Sequence, residues 1–469
     1  MGVIILGAGP AGLAAAFALA KQGQKPIVLE RSHAVGGMCR TIEHNGYLFD
    51  IGGHRFFTKF DEVQDLWEEI LGDQLLLRPR LSRIFYNGKF FDYPLKATNA
   101  LKNLGLIEST RCMASYARAR LRGRGEEDSF EEWVSNRFGN RLFDIFFRSY
   151  TEKVWGIPTD EIGAEWAAQR IKNMELSTAV LDALRRPLDR FIGSRSDVTS
   201  LIEEFHYPRT GPGLMYDTMA KKLIELGGEI RFGHTVTGLI HDGKTVSGVK
   251  VECDGETHEM AADHVLSSIP LTLLVRGMSP PEKVQQATEQ LRYRNLLTVN
   301  LIADAPNLFP DNWIYVHEPK IQLGRIQNYK NWSPHMVPDA SKTSLGLEYF
   351  CSDDEPLWSM SDEELLALGR REMESIKLLN GAPIIDGCVV RVPKAYPVYN
   401  RGYEAHLDVI KEYLSGFSNL APMGRYGMFK YNNSDHSILT ALLSVENITG
   451  ARHNVWAVNT ETEYHEVRG

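Results

Sequence analysis

Residues 3–13 read Val-Ile-Ile-Leu-Gly-Ala-Gly-Pro-Ala-Gly-Leu, and this stretch decides the fold. Its first four residues are apolar, which predicts a short strand buried on both faces. Three glycines follow, Gly7, Gly9 and Gly12, and residues 13–20 then predict a helix. Gly7 permits the tight turn, Gly9 lets the backbone approach a pyrophosphate, and Gly12 lets the helix pack closely on the strand. The unsatisfied N–H groups at the start of such a helix attract phosphate.

The residues that follow favour a flavin over a nicotinamide dinucleotide. A second apolar run, residues 26–29, comes at the distance of a βαβ unit and ends in Glu30, the expected acceptor of a ribose hydroxyl. Residues 36–41 then read Gly-Gly-Met-Cys-Arg-Thr, a continuation typical of flavoproteins of the glutathione-reductase and amine-oxidase type. The alternative is a glycine-rich turn in an ordinary α/β domain. We therefore predict a Rossmann-type, glutathione-reductase-like domain that binds FAD, with Ala11, Glu30, Arg31, Gly37 and Met38 among its contacts.

Composition excludes several other classes of function. The 469 residues predict two or three structural units. Fifty-two basic and 60 acidic residues give a net charge of −8, so we expect no nucleic-acid partner. Five scattered cysteines without a CxxC pair argue against a disulfide framework or a metal site, and favour a cytoplasmic protein. No signal peptide is expected, and no apolar stretch approaches the ~20 residues of a membrane span, so we expect no membrane partner.

The pattern along the chain predicts an interrupted flavin domain. A hairpin turning at Asn87-Gly88 precedes a block of helices, predicted at residues 97–106, 109–121, 129–138, 141–150 and 162–172. An antiparallel sheet is predicted from strands at residues 298–303, 313–316, 322–328, 343–350 and 387–392. We assign residues 1–75, 195–290 and 415–469 to the FAD domain, 76–194 to a hairpin plus helical substrate domain, and 291–414 to an antiparallel sheet substrate domain. A last helix, residues 437–448, is expected to direct its N-terminus at the flavin.

Two further stretches carry candidate chemistry. Gly52, Gly53 and His54 end a predicted strand, where the double glycine lets the backbone pass close to a flat ring. A lone histidine is most often a core residue, but its place after the double glycine favours a role beside the flavin. Residues 150–156 read Tyr-Thr-Glu-Lys-Val-Trp-Gly, and a merely capped helix corner does not call for a Glu-Lys pair beside a tryptophan.

That stretch resembles the Y-T-E-K-x-W-G motif of the UDP-galactopyranose mutase family, within the amine-oxidase and protoporphyrinogen-oxidase superfamily. Supporting patches in matching order are residues 53–58, 91–94, 170–171, 396–398, 424–425 and 431. The resemblance implies an FAD enzyme that acts with reduced flavin and without net redox change. It isomerises the pyranose and furanose rings of a nucleotide-diphosphate sugar by attack of flavin N5 on the anomeric carbon, which expels the diphosphate for later return. NADH or NADPH is the implied external reductant.

Site residues carry over by position. The implied catalytic residues are Arg170, Arg325, His54 and Trp155, and the implied substrate contacts are Tyr150, Trp155, Arg170, Arg325, Tyr396, Tyr431 and Asn433. Arginines suit the diphosphate because a guanidinium binds phosphate through two N–H groups at once. Further flavin contacts are expected at Gly53, His54, Val236, Gly424, Arg425 and Ser437. A homodimer through the helical block is an open alternative to a monomer.

The chain also departs from the family pattern. Phe57 stands where the family has a histidine near the flavin, and Asn433 replaces an acid two residues beyond Tyr431. Residues 325–334 form a longer and more aromatic segment than expected. These changes leave the diphosphate arginines intact, so we expect a nucleotide-diphosphate sugar but not UDP-galactose in particular. The alternatives are an FAD oxidase or dehydrogenase of the amine-oxidase or protoporphyrinogen-oxidase type, and a flavin-binding protein with a structural role.

Overall fold

The computed structural model describes residues 2–93, 95–122, 125, 127–164, 166 and 204–460. The strands are β1 Val3–Leu6, β2 Ile27–Leu29, β3 Thr41–His44, β4 Tyr47–Asp50, β5 Leu75–Pro79, β6 Ser82–Tyr86, β7 Lys89–Asp92, β8 Glu204–Pro208, β9 Glu229–Arg231, β10 Thr235–His241, β11 Val246–Cys253, β12 Glu256–Ala261, β13 His264–Ser267, β14 Tyr293–Ala303, β15 Trp313–Val316, β16 Arg325–Asn328, β17 Thr343–Cys351, β18 Ile384–Pro397 and β19 Leu420–Pro422.

Sixteen α-helices accompany these strands in the described residues. They are α1 Pro10–Lys21, α2 Asp61–Leu71, α3 Ala97–Leu104, α4 Leu106–Arg122, α5 Phe130–Phe138, α6 Asn140–Phe143, α7 Ser149–Trp155, α8 Gly213–Glu225, α9 Leu271–Arg276, α10 Glu282–Glu289, α11 Tyr329–Trp332, α12 Pro356–Ser359, α13 Asp362–Ser375, α14 Tyr403–Ser415, α15 Gly424–Gly427 and α16 Ser434–Ile448. None of these helices is long and apolar enough to span a bilayer.

A five-stranded parallel sheet carries the dinucleotide motif. Its strand order is β19-β13-β1-β2-β9, with β1 at the centre. Ile5 faces one hydrophobic core, which is shared with α1, α8 and α16, and Ile4 faces a second core under α9, α10 and α14. Because successive side chains of a strand point to opposite faces, β1 must be apolar throughout. The predicted α/β Rossmann-type fold is confirmed.

The second large sheet is mixed, whereas the sequence predicts an antiparallel one. Its order is β18-β14-β17-β16-β15-β6-β7, and β15 pairs with β6 in parallel. The hairpin at Asn87-Gly88 forms as predicted, but β6 and β7 extend this sheet. Leu347 and its neighbours on one face pack under α13, while Glu348 points to the opposite face, where the candidate site lies. The hairpin joins this sheet through long-range pairing, which periodicity does not reveal.

Several helix predictions needed correction. The first predicted helix ends at Leu104 and the next begins at Leu106, because Gly105 adopts a left-handed φ of 81° that breaks the helix there. Helix α5 forms where the sequence predicts one, and Ser129 caps it with a reciprocal capping box. Helices α13 and α14 were missed, although Ser361 supplies a capping box to α13. The prediction of a helix over residues 162–172 falls largely outside the described residues.

Candidate active site

Three glycines shape the start of α1. Gly7 has φ of 93°, and a Cβ on Gly12 would overlap the Gly7 carbonyl oxygen, so the helix can leave the strand only with glycine at both positions. Gly9 is the N-cap residue, and among the described residues no side chain caps the first amides of the helix. These amides and the positive end of the helix therefore face the space in front of β1, as a phosphate site requires.

The other predicted cofactor residues near this helix lie close together. A Cβ on Gly37 would come within 3.2 Å of the Gly9 Cα, so the two glycine segments face each other across a narrow gap. Gly424, with φ of 77°, lies against Ala11, since its Cβ would stand 2.8 Å from that of Ala11 and 3.9 Å from that of Ser437. The N-termini of α1 and α16 thus meet at one end of the parallel sheet.

Glu30 follows β2 at the same end of the sheet. Its carboxylate accepts from the backbone N–H of Ala8 at 2.8 Å, and from the N–H and hydroxyl of Ser32 at 2.9 and 2.8 Å. These bonds fix the carboxylate and leave lone pairs for a ribose hydroxyl. Arg31 is exposed beside it, and Val236 is partly buried at the start of β10. The ribose role of Glu30 stays a prediction.

The double glycine brings backbone against polar side chains of the mixed sheet. Gly52 has φ of 90°, and a Cβ on Gly53 would lie 2.9 Å from Nε2 of Gln327. His54 Nε2 lies 2.8 Å from the Ile51 carbonyl and therefore carries the proton, while Nδ1 faces the Cys39 thiol at 3.6 Å. Burial lowers the pKa of His54, so the ring is neutral at pH 7. Both ring nitrogens have protein partners, which suits a wall residue better than a proton donor.

A buried carboxylate braces the strand that leads into this segment. Asp50 accepts from the hydroxyl of Tyr207 and, at 3.2 Å, from that of Thr41. The Asp50 carbonyl accepts from Tyr329 at 2.7 Å. Burial raises the pKa of Asp50 to about 7, although both hydroxyl bonds lower it. The network holds β4, and with it the double glycine, against the mixed sheet.

Arg325 points into the site, but its charge is already matched. Its Nε donates to Glu348 at 3.0 Å, its Nη2 donates to the same oxygen, and the Gln327 amide donates to the other oxygen at 2.6 Å. Glu348 is fully buried. Sequence reasoning missed it; the one available signal was an acid within the apolar strand segment Leu-Gly-Leu-Glu-Tyr-Phe. A buried charge on such a strand demands a partner.

Arg425 is a second, partly buried cation at the same site. Its guanidinium lies 4.0 Å from the ring centre of Tyr431 and 5.0 Å from that of Tyr396. It donates to the carbonyls of Ala395 at 3.2 Å and Asn432 at 3.1 Å. Among the described residues, no carboxylate forms an ion pair with it. Arg425 therefore brings uncompensated positive charge to the site.

Trp155 and three tyrosines form an aromatic wall. The Trp155 ring is buried, with the ring centres of Tyr396, Tyr399 and Tyr431 at 6.3, 6.4 and 6.1 Å. Met38, a predicted flavin contact, packs against the same cluster. Burial raises the pKa of Tyr396, so its phenol stays protonated at neutral pH and can donate a hydrogen bond. The wall joins α7, β18 and the segment before α16.

Tyr150 stands one turn and a half before the tryptophan. It stacks on His317 with ring centres 4.7 Å apart, and meets Tyr315 edge-on at 5.6 Å. Burial raises the pKa of Tyr150 well above its usual value, while the charge of Arg325 opposes that shift. The charge of Arg325 therefore acts on the Tyr150 phenol, and the charges of Arg325 and Arg425 both help to lower the pKa of His54.

Lys153, within the same motif, holds helix α7 in place. Its ammonium donates to the carbonyls of Val316, Glu318 and Leu323 at 2.9, 3.2 and 3.0 Å, which ties α7 to the end of β15. Burial lowers the pKa of Lys153 to about 8. Gly156 ends the helix with φ of 67°, and any Cβ there would collide with the guanidinium of Arg294. The motif thus builds a corner as well as presenting Tyr150 and Trp155.

The remaining predicted residues take other places. Asn433 is the N-cap residue of α16, which begins three residues earlier than predicted. Trp332, in the aromatic segment after Arg325, is buried, and its indole N–H donates to the Asn312 carbonyl at 2.9 Å. The aromatic side chains of that segment, Tyr329 and Trp332, belong to the core, whereas Arg325 and Gln327 at its start face the site. Arg170 lies outside the described residues.

Residues 10–420 match the family model described as flavin containing amine oxidoreductase. The chain belongs to this family. Membership implies FAD as cofactor, and the glycine cradle at α1 fits its pyrophosphate.

Individual relatives of this chain differ in their described activities. The probable UDP-galactopyranose mutase of Klebsiella pneumoniae is 27% identical over 34% of this chain and 43% of its own length. The 1-hydroxycarotenoid 3,4-desaturase of Flavobacterium sp. (strain P99-3) is 25% identical over 60% and 59%. The chain thus spans about half the length of the curated relatives that it matches.

Solved structures extend the likeness over nearly the whole chain. A crystal structure of reduced UDP-galactopyranose mutase superposes with a TM-score of 0.83, at 22% identity, over 98% of this chain and 99% of that one. A putative protoporphyrinogen oxidase from Exiguobacterium sp. 255-15 superposes with a TM-score of 0.71, at 18% identity, over 95% and 98%. At these identities the likeness shows the fold, which confirms the expected UDP-galactopyranose mutase-like architecture, and leaves the activity open.

Proposed function

We propose that this protein isomerises the ring of a nucleotide-diphosphate sugar, between pyranose and furanose forms, with its flavin in the reduced state. The observation that carries the proposal is Arg425, a partly buried guanidinium without a carboxylate partner among the described residues. It lies against the phenols of Tyr396 and Tyr431. A partly buried cation that lacks a counter-charge loses part of its hydration, so a site that keeps one is suited to an anionic ligand.

The flavin supplies a nucleophilic nitrogen when it is bound and reduced, and NADH or NADPH is the proposed source of its electrons. Gly9, Gly37 and the first amides of α1 would hold its pyrophosphate, and Glu30 its ribose. The backbone of Gly53 and the ring of His54 would border its ring system. The N-terminus of α16, which lies near Ala11 through Gly424, would favour negative charge there.

The chain's own side chains would manage the departing diphosphate. Arg325 keeps N–H groups beyond those that Glu348 uses, and Arg425 adds net positive charge. Tyr396 and Tyr431 would donate hydrogen bonds to phosphate oxygens, since burial keeps the Tyr396 phenol protonated. Trp155 closes the wall behind them and excludes water. Arg170 is proposed as a further phosphate ligand from its sequence position alone.

A second candidate is net redox chemistry on an organic substrate. The family model and the carotenoid desaturase relative favour it, because those proteins are described as oxidoreductases or desaturases. Such substrates carry no diphosphate at the reacting carbon and do not need Arg325 and Arg425 near one another. The arginines therefore favour the isomerase.

The decisive experiment is turnover of UDP-sugars by dithionite-reduced protein under nitrogen, with no electron acceptor. Ring isomers in the product support the proposal, and a flavin adduct trapped with cyanoborohydride would report the sugar by its mass. The unreduced protein is the matched control. Turnover that requires an acceptor such as O₂, with oxidised product, would establish the second candidate instead.

A further inference from the structure

Helix α4 turns an apolar stripe toward solvent. Its side chains Leu106, Ile107, Met113 and Leu121 expose 87%, 72%, 37% and 88% of their surface. The helix packs on the protein through its opposite side, where Ser109 and Cys112 are buried. A single exposed leucine is ordinary on a protein surface, but four large apolar side chains along one helix are not.

These side chains form two adjacent rows. Leu106 and Met113 stand seven residues apart, which is about two helical turns, and so share one row. Ile107, Ala114 and Leu121 repeat the same spacing in the neighbouring row. The stripe therefore continues from the first turn of the helix to the last, over roughly 22 Å at the usual rise per residue.

Arginines border the stripe on both sides. By helical geometry Arg118 and Arg122 lie beyond the row of Leu121, and Arg120 lies beyond the row of Leu106. No carboxylate among the described residues is within ion-pair distance of these three arginines. Arg111, on the side of Arg118 and Arg122, lies 3.6 Å from the Glu108 carboxylate. An apolar stripe between cationic margins is the pattern of a helix that lies in a membrane interface.

The net charge of α4 indicates which kind of partner surface can bind it. Four arginines against Glu108 give α4 a net charge of +3, whereas the whole chain carries −8. A second copy docked about a twofold axis would place arginines against arginines, because such an interface pairs a patch with itself. An anionic surface accepts the arginines and the apolar stripe together.

We propose that α4 binds an anionic lipid surface, with its stripe in the acyl boundary and its arginines among the headgroups. The sequence prediction of no membrane partner rests on the lack of a spanning segment. An interfacial helix needs none, since it buries one face only. The proposal is independent of the reaction that the flavin site performs.

The test is co-sedimentation of the full-length protein with vesicles of equal parts phosphatidylcholine and phosphatidylglycerol. Binding is expected at low ionic strength, with loss in high salt and on pure phosphatidylcholine. The double variant Leu106→Asp/Leu121→Asp should bind at least tenfold more weakly. Arg118→Gln/Arg122→Gln should lose about fivefold for each arginine, without touching a packed side chain. Ile224→Asp, at an exposed position of α8, is the matched control and should bind like the wild type.

Three outcomes overturn the proposal. One is no sedimentation of the wild type with anionic vesicles, and another is equal binding by the arginine variant and the wild type. The third is a dimer in sedimentation velocity that the leucine variant abolishes, which would assign the stripe to a second copy. If the wild type does not bind vesicles and the leucine variant has a lower melting temperature than the wild type, another segment of the same chain covers the stripe.

Discussion

Replacing Arg325 by Gln should abolish tight binding of UDP, the diphosphate half of the proposed substrate. The chain offers a matched control in Arg83, which pairs with Asp311 on the same sheet at 2.7 and 2.5 Å. Both acids are fully buried, and the two arginine side chains are 19% and 24% exposed. Arg83 lies on strand β6 with its side chain over Phe90, away from the site.

The structure sets the magnitude. A guanidinium has five N–H groups, and Glu348 accepts two from Arg325, which leaves three for phosphate oxygens. Loss of two charge-assisted hydrogen bonds costs roughly 3–5 kcal/mol, or about two hundred- to five thousandfold in affinity. Arg325→Gln and Arg83→Gln should each lose about 3–5 kcal/mol of stability as well, because each strands a buried carboxylate.

The assay is isothermal titration of UDP into the flavin-loaded protein, beside chemical unfolding of each variant. Arg83→Gln should lose stability and keep its UDP affinity. The double variant Arg325→Gln/Glu348→Gln should regain stability, since no charge is stranded, and still bind UDP weakly. Equal UDP affinity in Arg325→Gln and Arg83→Gln would refute the assignment of Arg325 to the diphosphate.

Three further predictions concern other parts of the molecule. Gly12→Ala should yield colourless protein, because the added Cβ overlaps the Gly7 carbonyl oxygen. The measurement is flavin absorbance at 450 nm. Gly125→Ala, where an added Cβ meets open space, is the control and should stay yellow. Asp50, with a pKa of about 7, keeps its proton in the fold while the unfolded chain ionises near 3.8, so wild-type stability should fall between pH 4 and 7. Asp50→Asn should remove the share of that fall that Asp50 contributes, about 4 kcal/mol at pH 7, while the share of Asp435, whose pKa burial raises to about 6, remains; unfolding titrations across the range measure both. Lys153→Met should strand three carbonyl acceptors and lower the melting temperature, and an unchanged melting temperature would contradict its role at the corner.

Much of the fold could be predicted from the sequence, because many turns and helix ends depend on interactions between residues close in the chain. The apolar run before Gly7, the turn at Asn87-Gly88 and the capping box at Ser129 each encode their structure within a few residues, so β1, the hairpin and α5 form where predicted. Helix α13 was missed despite a similar capping signal, because the strands around it set a period-two expectation for the whole region.

The sequence by itself determined the nucleotide-binding start of the chain and the residue types of the site, since those depend on local turns and on chemistry. Only the tertiary structure decided how the charges are distributed. Glu348 neutralises Arg325 from the next strand of the mixed sheet, while Arg425 donates to backbone carbonyls and lies against the Tyr396 and Tyr431 rings, with no carboxylate at ion-pair distance among the described residues. Which cation stays uncompensated depends on pairing between strands far apart in sequence, and burial then gives that pairing its energy.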